Sequence, residues 1–132
     1  MGIDHAIRWL GAILDEGDLA PWFLSSLCLV HPAGIGLTLL HAFGYGLPVI
    51  TNNERESQMP EFAAFRPGET GTAFRRGDAR SLTQVMCTYL ENPGERAAMS
   101  ANALRVAREQ YNVSVMVERF VGMAEYMGQD VR

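Results

Sequence analysis

Apolar and polar positions alternate in short blocks over the first half of this chain and settle into a helical rhythm over the second. Ile7 to Leu14 (IRWLGAIL) is rich in strand formers and is followed by Asp15-Glu16-Gly17-Asp18, a turn and helix cap, so a strand is expected there. Leu19 to Ser25 reads as a short helix. Leu27 to His31 (LCLVH) is an apolar run closed by Pro32-Ala33-Gly34, the pattern of a buried strand meeting a loop. Gly36 to Tyr45 is helix-like, with Leu37, Leu40 and Gly44 on one stripe, and Gly46-Leu47-Pro48 stops it. Pro48 to Thr51 (PVIT) begins another strand, since proline is tolerated at the first position.

Asn52 to Arg66 is polar and irregular, broken by Pro60, with one helical turn expected from Glu61 to Phe65, and Gly71 to Phe74 reads as a last short strand. Beyond it Leu82, Val85, Met86, Tyr89 and Leu90 repeat at helical spacing behind an Asp78 cap. Asn92-Pro93-Gly94-Glu95 is a second helix start, with a capping residue, proline at the first helical position and a carboxylate two places later. Asn112 or Ser114 caps a third helix, on which Met116, Phe120, Val121 and Ala124 share a face expected to belong to the core. The sum is one α/β domain over residues 1–132. It has a Rossmann-like parallel sheet of about four strands, flanked by helices and ending in three consecutive helices.

From Leu19 through Asn53 no Asp, Glu, Lys or Arg occurs. Pro21, Pro32, Pro48 and the glycines between them cut that stretch into pieces too short to span a bilayer, and strands covered on both faces read as unbroken apolar sequence for the same reason. The net charge of -4 disfavours a general nucleic-acid binder, which needs a basic face for phosphates. Cys28 and Cys87 each lie in an apolar run without metal-ligand spacing, and are expected to be buried free thiols of a reducing compartment. The opening Met-Gly-Ile-Asp-His lacks the pattern of an export signal, so a cytoplasmic protein is expected.

The candidate chemistry lies in Pro32-Ala33-Gly34-Ile35-Gly36, between a strand and a helix. A helix amino terminus offers unpaired N–H groups and a partial positive charge, and glycines let a phosphate approach the main chain. Such ligands sit past the carboxyl ends of parallel strands, where this loop falls. Thr38, in the first turn, adds a hydroxyl.

The block HPAGIGLTLLHAFGYGLPVIT resembles the signature region of the family 4 (group 1) retaining glycosyltransferases, and the likeness extends from about Ile7 to Tyr126. It implies the carboxy-terminal, donor-binding domain of the GT-B fold, a nucleotide-diphosphate-sugar as donor substrate, and neither a metal nor another cofactor. The family's backbone amides for the donor diphosphate and sugar fall on Gly34, Ile35, Gly36 and Leu37. Ala33 and His41 stand where its two donor-binding glutamates are expected, so both carboxylates are absent. His41 either hydrogen-bonds a ribose hydroxyl as a neutral imidazole or is a packed helix histidine without a ligand.

The resemblance also implies an amino-terminal acceptor domain and an Arg/Lys pair for the diphosphate outside these residues; every cation here is arginine. Sugar transfer by this chain alone is therefore expected to be negligible, and no catalytic residue is assigned. In the family's sheet order Ile7 to Leu14 is parted from Leu27 to His31 by two absent strands. Either it repacks beside the later strand, or a homodimer or the missing amino-terminal domain covers the open edge. The acceptor is unknown, and a full-length protein of this kind is cytoplasmic or peripheral at the membrane. The alternative to an enzyme part is a non-catalytic relative acting as an interaction or scaffold subunit. A Rossmann-type binding domain for another nucleotide is disfavoured because Gly34-Ile35-Gly36 is not the full GxGxxG fingerprint.

Overall fold

The computed structural model describes residues 2–129. Three short strands, β1 (Leu29–His31), β2 (Val49–Asn52) and β3 (Gly71–Phe74), form one parallel sheet in the order β1-β2-β3. His31 pairs with Thr51, and Thr51 with Ala73. Five α-helices accompany them: α1 (Glu16–Ser25), α2 (Leu37–Gly44), α3 (Ala79–Glu91), α4 (Pro93–Gln110) and α5 (Val113–Gln129). The chain from β2 to β3 crosses back through two 3-10 turns, Arg55–Ser57 and Pro60–Ala64. The α/β architecture and the three closing helices agree with the sequence pattern.

The strand expected at Ile7 to Leu14 does not form, which leaves three strands rather than four. Those residues are irregular and open to solvent, with Trp9 89% and Leu14 96% exposed. Strand propensity acts through a partner's backbone and a packed face. The sheet pairs this segment neither with β1 nor with β3, and Gly11, at φ 68°, interrupts its extended run.

β2 is the centre of the molecule, and all four of its residues are buried. Side chains alternate across a strand, so its neighbours Val49 and Ile50 serve opposite faces. Val49 packs with Ile35, Leu39, Ala42 and Phe43, with Phe65, and with Ala103 and Val106 of α4. Ile50 packs with Phe74, Tyr89 and Met99, with Leu82, Val85 and Met86 of α3 against them. The buried stripe of α2 is therefore Ile35, Leu39, Ala42 and Phe43, not Leu37, Leu40 and Gly44: Leu37 is 72% exposed and Leu40 only partly buried. The helical spacing begins at Ile35, one step before the glycine that starts the helix.

Caps follow the sequence at three helix starts, with Asp15 capping α1, and depart from it at a fourth. Ser81 N–H donates to Asp78 Oδ1 at 3.0 Å, and Val115 N–H to Asn112 Oδ1 at 2.9 Å, so Asn112 rather than Ser114 caps α5. Asn92 does not cap α4. Its Nδ2 turns back to the Thr88 carbonyl at 2.7 Å, while Arg96 Nη1 donates to the Tyr89 carbonyl at 3.1 Å and closes the end of α3.

Two further expectations need correction. The α5 face with Met116, Phe120 and Val121 is exposed rather than core, because no described element covers it; Phe120 is 66% exposed. Cys28 is half-buried and Cys87 exposed, so the thiols are free but not both enclosed. Among the described residues no helix is long and apolar enough to cross a membrane.

Candidate functional site

The loop Pro32–Gly36 leaves the carboxyl end of β1 and enters α2. Glycine at the N-cap has no side chain to offer, and no side-chain cap is made there. The contrast lies in α1 and α3, where Asp15 and Asp78 cap the helix with their carboxylates. The first-turn amides of Leu37 and Thr38 thus keep the partial positive charge of a helix start without an internal carboxylate cap. Leu37 and Thr38 are both exposed, as is Ala33; Gly34, Gly36 and His41 are half-buried and Ile35 fully buried. Of the residues singled out from the sequence, Ala33 to Thr38 are together in space by virtue of one turn and one helix start.

A second segment holds that loop in shape. Asn52, buried at the end of β2, donates through Nδ2 to the Pro32 carbonyl at 3.2 Å and the Ala33 carbonyl at 3.1 Å. Its Oδ1 accepts from Glu54 N–H at 3.0 Å. Gln58 bridges both parts: Nε2 donates to the Asn52 carbonyl at 3.0 Å, and Oε1 accepts from Ile35 N–H at 2.8 Å. Met59 N–H donates to the Ile35 carbonyl at 3.2 Å. Glycine is required at position 34, where a Cβ would lie 2.2 Å from the Ser57 carbonyl oxygen. At Gly36 a Cβ would lie 3.4 Å from Met59 and 3.6 Å from Glu61 Oε2, so a carboxylate stands close to the start of α2. Arg76 pairs with Glu54 and ties the covering segment to the turn after β3.

His41 lies in the middle of α2 and belongs to a different group. Its Nε2 donates to Glu16 Oε1 at 2.9 Å, and the Tyr45 hydroxyl donates to the same oxygen. Phe23 packs on both rings, 5.2 Å from His41 and 5.4 Å from Tyr45 between centroids. The hydrogen bonds from Tyr45 and then His41 hold the Glu16 carboxyl below its ordinary value; the same bond, with burial, raises the Tyr45 phenol. His31 Nδ1 donates to the Ala33 carbonyl at 3.3 Å, which adds a tie on the loop.

Sequence reading missed Asn52, Gln58, Glu16 and Tyr45. Asn52 carried a signal, since asparagine is depleted in strands and this one directly continues PVIT. Gln58 carried none, because its two side-chain partners, Ile35 and Asn52, come from separate stretches of chain. Thr51 adds an unexplained feature: its hydroxyl is fully buried on the central strand and has no hydrogen-bond partner. Among the described residues no group of three or more His, Cys, Asp or Glu is placed to hold a metal ion.

The sequence pattern of the family described as Glycosyl transferases group 1 matches residues 1–92. The chain belongs to the group 1 glycosyltransferases. It is 29% identical over 140 residues to a sucrose synthase of Denitrovibrio acetiphilus, a match that takes in 97% of this chain and 17% of that protein. Its fold is similar to sucrose-phosphate synthase from Thermosynechococcus elongatus, with a TM-score of 0.71, 18% identity, and 89% of this chain laid on 29% of that one. Anabaena HepE in complex with UDP gives a TM-score of 0.67 at 16% identity over 80% of this chain and 29% of that one. The carboxy-terminal domain of the group 1 glycosyltransferase LpcC from Francisella tularensis gives 0.64 at 19% identity, covering 79% of this chain and 53% of that one. The chain therefore has the fold of a carboxy-terminal GT-B domain and spans a small part of the length of the larger relatives it matches.

Proposed function

We propose that this domain binds the nucleotide-diphosphate-sugar donor of a retaining, metal-independent glycosyltransferase. One observation carries the reading: a glycine loop at the carboxyl end of a parallel strand enters a helix whose first amides meet no capping carboxylate. The distal phosphate sits against the amides of Gly36, Leu37 and Thr38, with the Thr38 hydroxyl beside it. The sugar passes Ala33 and Gly34, and the nucleoside extends toward His41. That HepE is described in complex with UDP and with UDP-glucose supports a ligand of this class on this fold.

Transfer also requires an acceptor held against the donor, and one donor-type domain supplies no such partner surface. We expect the 132-residue chain to transfer no sugar on its own. A second domain or a second copy lies along the open edge of β1, and the free thiols fit a cytoplasmic setting.

Titration of the chain with UDP, GDP and ADP and with their sugar conjugates tests the reading. Saturable binding of one base, weakened by His41→Ala, is the expected result. A second reading draws on the apolar Ala33 and on the bond from His41 to Glu16, which leave the sugar position without a polar side chain and the His41 imidazole already engaged. In that case the domain is a non-catalytic interaction subunit, and no nucleotide binds.

A further inference from the structure

Gln58 is the residue on which the glycine loop and its covering segment meet. It is half-buried, lies 23 positions from Ile35, and spends both ends of its amide on main-chain groups: Oε1 on Ile35 N–H at 2.8 Å and Nε2 on the Asn52 carbonyl at 3.0 Å. The Asn52 side chain in turn grips the carbonyls of Pro32 and Ala33. The loop is thus fixed at its beginning by Asn52 and in its middle by Gln58, immediately before the uncapped start of α2.

We propose that Gln58 is a positioning residue for the donor diphosphate, an inference that rests on the donor-site reading above. By engaging Ile35 N–H, it removes that amide from the set facing the ligand and leaves Gly36, Leu37 and Thr38 to meet the distal phosphate. It also supplies the buried amide with an acceptor, without which Ile35 N–H would be an orphan donor that draws the loop toward other partners. A loop held in its binding geometry loses less conformational freedom when the ligand arrives. Ser57 and Met59, the residues on either side, reinforce the arrangement through close approach to Gly34 and a hydrogen bond to the Ile35 carbonyl.

The two ends of Gln58 act on the loop, not on the nucleoside. Its loss therefore weakens the part of the affinity that the distal phosphate contributes and leaves the rest. The measurement is a calorimetric titration of the full chain and of Gln58→Met with UDP against UMP, with the ADP/AMP and GDP/GMP pairs alongside. Melting temperature and amide spectra confirm the fold of each protein. In the variant the diphosphate binds about tenfold more weakly while the monophosphate stays within about twofold, so the diphosphate preference falls by about tenfold. A diphosphate preference unchanged in folded Gln58→Met, or equal weakening of both nucleotides, overturns the positioning role while the donor site stands. If the unaltered chain binds none of the six nucleotides, the donor reading fails and the positioning role falls with it. Should Gln58→Met not fold, Gln58→Asn, too short to reach Ile35, carries the same expectation and the same refutation.

Discussion

The centre of this domain and its periphery use similar residues to opposite ends. Around β2, aromatic and aliphatic side chains from α2, α3, α4 and the turn after β2 are buried against one another, and the polar residue that ends the strand is fully hydrogen-bonded to its surroundings. In residues 7–14 and along α5, side chains of the same kinds, among them Trp9, Leu14, Met116 and Phe120, face solvent. Hydrophobicity drives burial only where another surface is available to bury against. The centre finds its surfaces inside the chain; the periphery meets none among the described residues.

That difference has a large energetic consequence. Phe43 is fully buried within the α2, α4 and β2 cluster, so Phe43→Ala leaves a cavity and costs about 3–5 kcal/mol. Phe120→Ala, on the exposed face of α5, shifts stability by no more than about 0.5 kcal/mol. Urea unfolding of the two variants checks the contrast. A loss above about 2 kcal/mol for Phe120→Ala would mean that α5 is covered in solution, by a second copy or by another part of the chain.

The next effect tests whether the glycine loop belongs to the centre. Asn52→Ala abandons the carbonyls of Pro32 and Ala33 and the amide of Glu54, which the fully buried Asn52 holds through partly buried hydrogen bonds. We expect a loss of about 2–3 kcal/mol, together with weaker nucleotide binding, because buried groups left without partners keep their desolvation cost. A change below about 0.5 kcal/mol would place the loop with the exposed periphery.

How much of this was legible in the sequence follows the same division. β3 and the ends of α2 and β2 were readable to within a residue or two, since apolar runs, glycines and prolines mark them locally. Strand propensity and the family resemblance both predict a strand at Ile7 to Leu14, and neither says whether a neighbouring strand is there to pair with it. The apolar face of α5 was read as core for the same reason. In the site, Gly34 and Gly36 announced themselves by type, but the covering segment did not. Gln58 touches Ile35 and Asn52 through the fold, and Glu16 meets His41 across 25 positions, so no local pattern could have paired them.

A smaller effect concerns pH. Burial pushes the Tyr89 phenol up to about 12, the neighbouring Cys28 adding to the shift and Arg96 opposing it, while its hydroxyl donates to the Leu27 carbonyl at 2.7 Å. The folded state favours the neutral phenol. Its contribution is complete below pH 10, the ordinary value, and is lost as the pH rises toward about 12. Melting temperatures of the unaltered chain should therefore fall more steeply between those values than those of Tyr89→Phe. Parallel curves for the two proteins would remove Tyr89 from the alkaline response.

The smallest effect is expected at Thr51, the central-strand residue whose hydroxyl has no partner. A buried donor without an acceptor is a cost, and valine has the same branched shape with a methyl in its place. Thr51→Val should therefore be neutral or stabilising by up to about 1 kcal/mol, the reverse of most changes in a packed core. Thermal unfolding measures it, and a loss of 1 kcal/mol or more would show that the hydroxyl is satisfied in solution. Comparing the melting temperatures with UDP present and absent then separates two sources of satisfaction. If valine lowers only the UDP-induced increase, the hydroxyl is used by the bound state and the site reaches down to the sheet. If it lowers both alike, an ordered water serves the hydroxyl within the centre, and the donor site ends at the glycine loop.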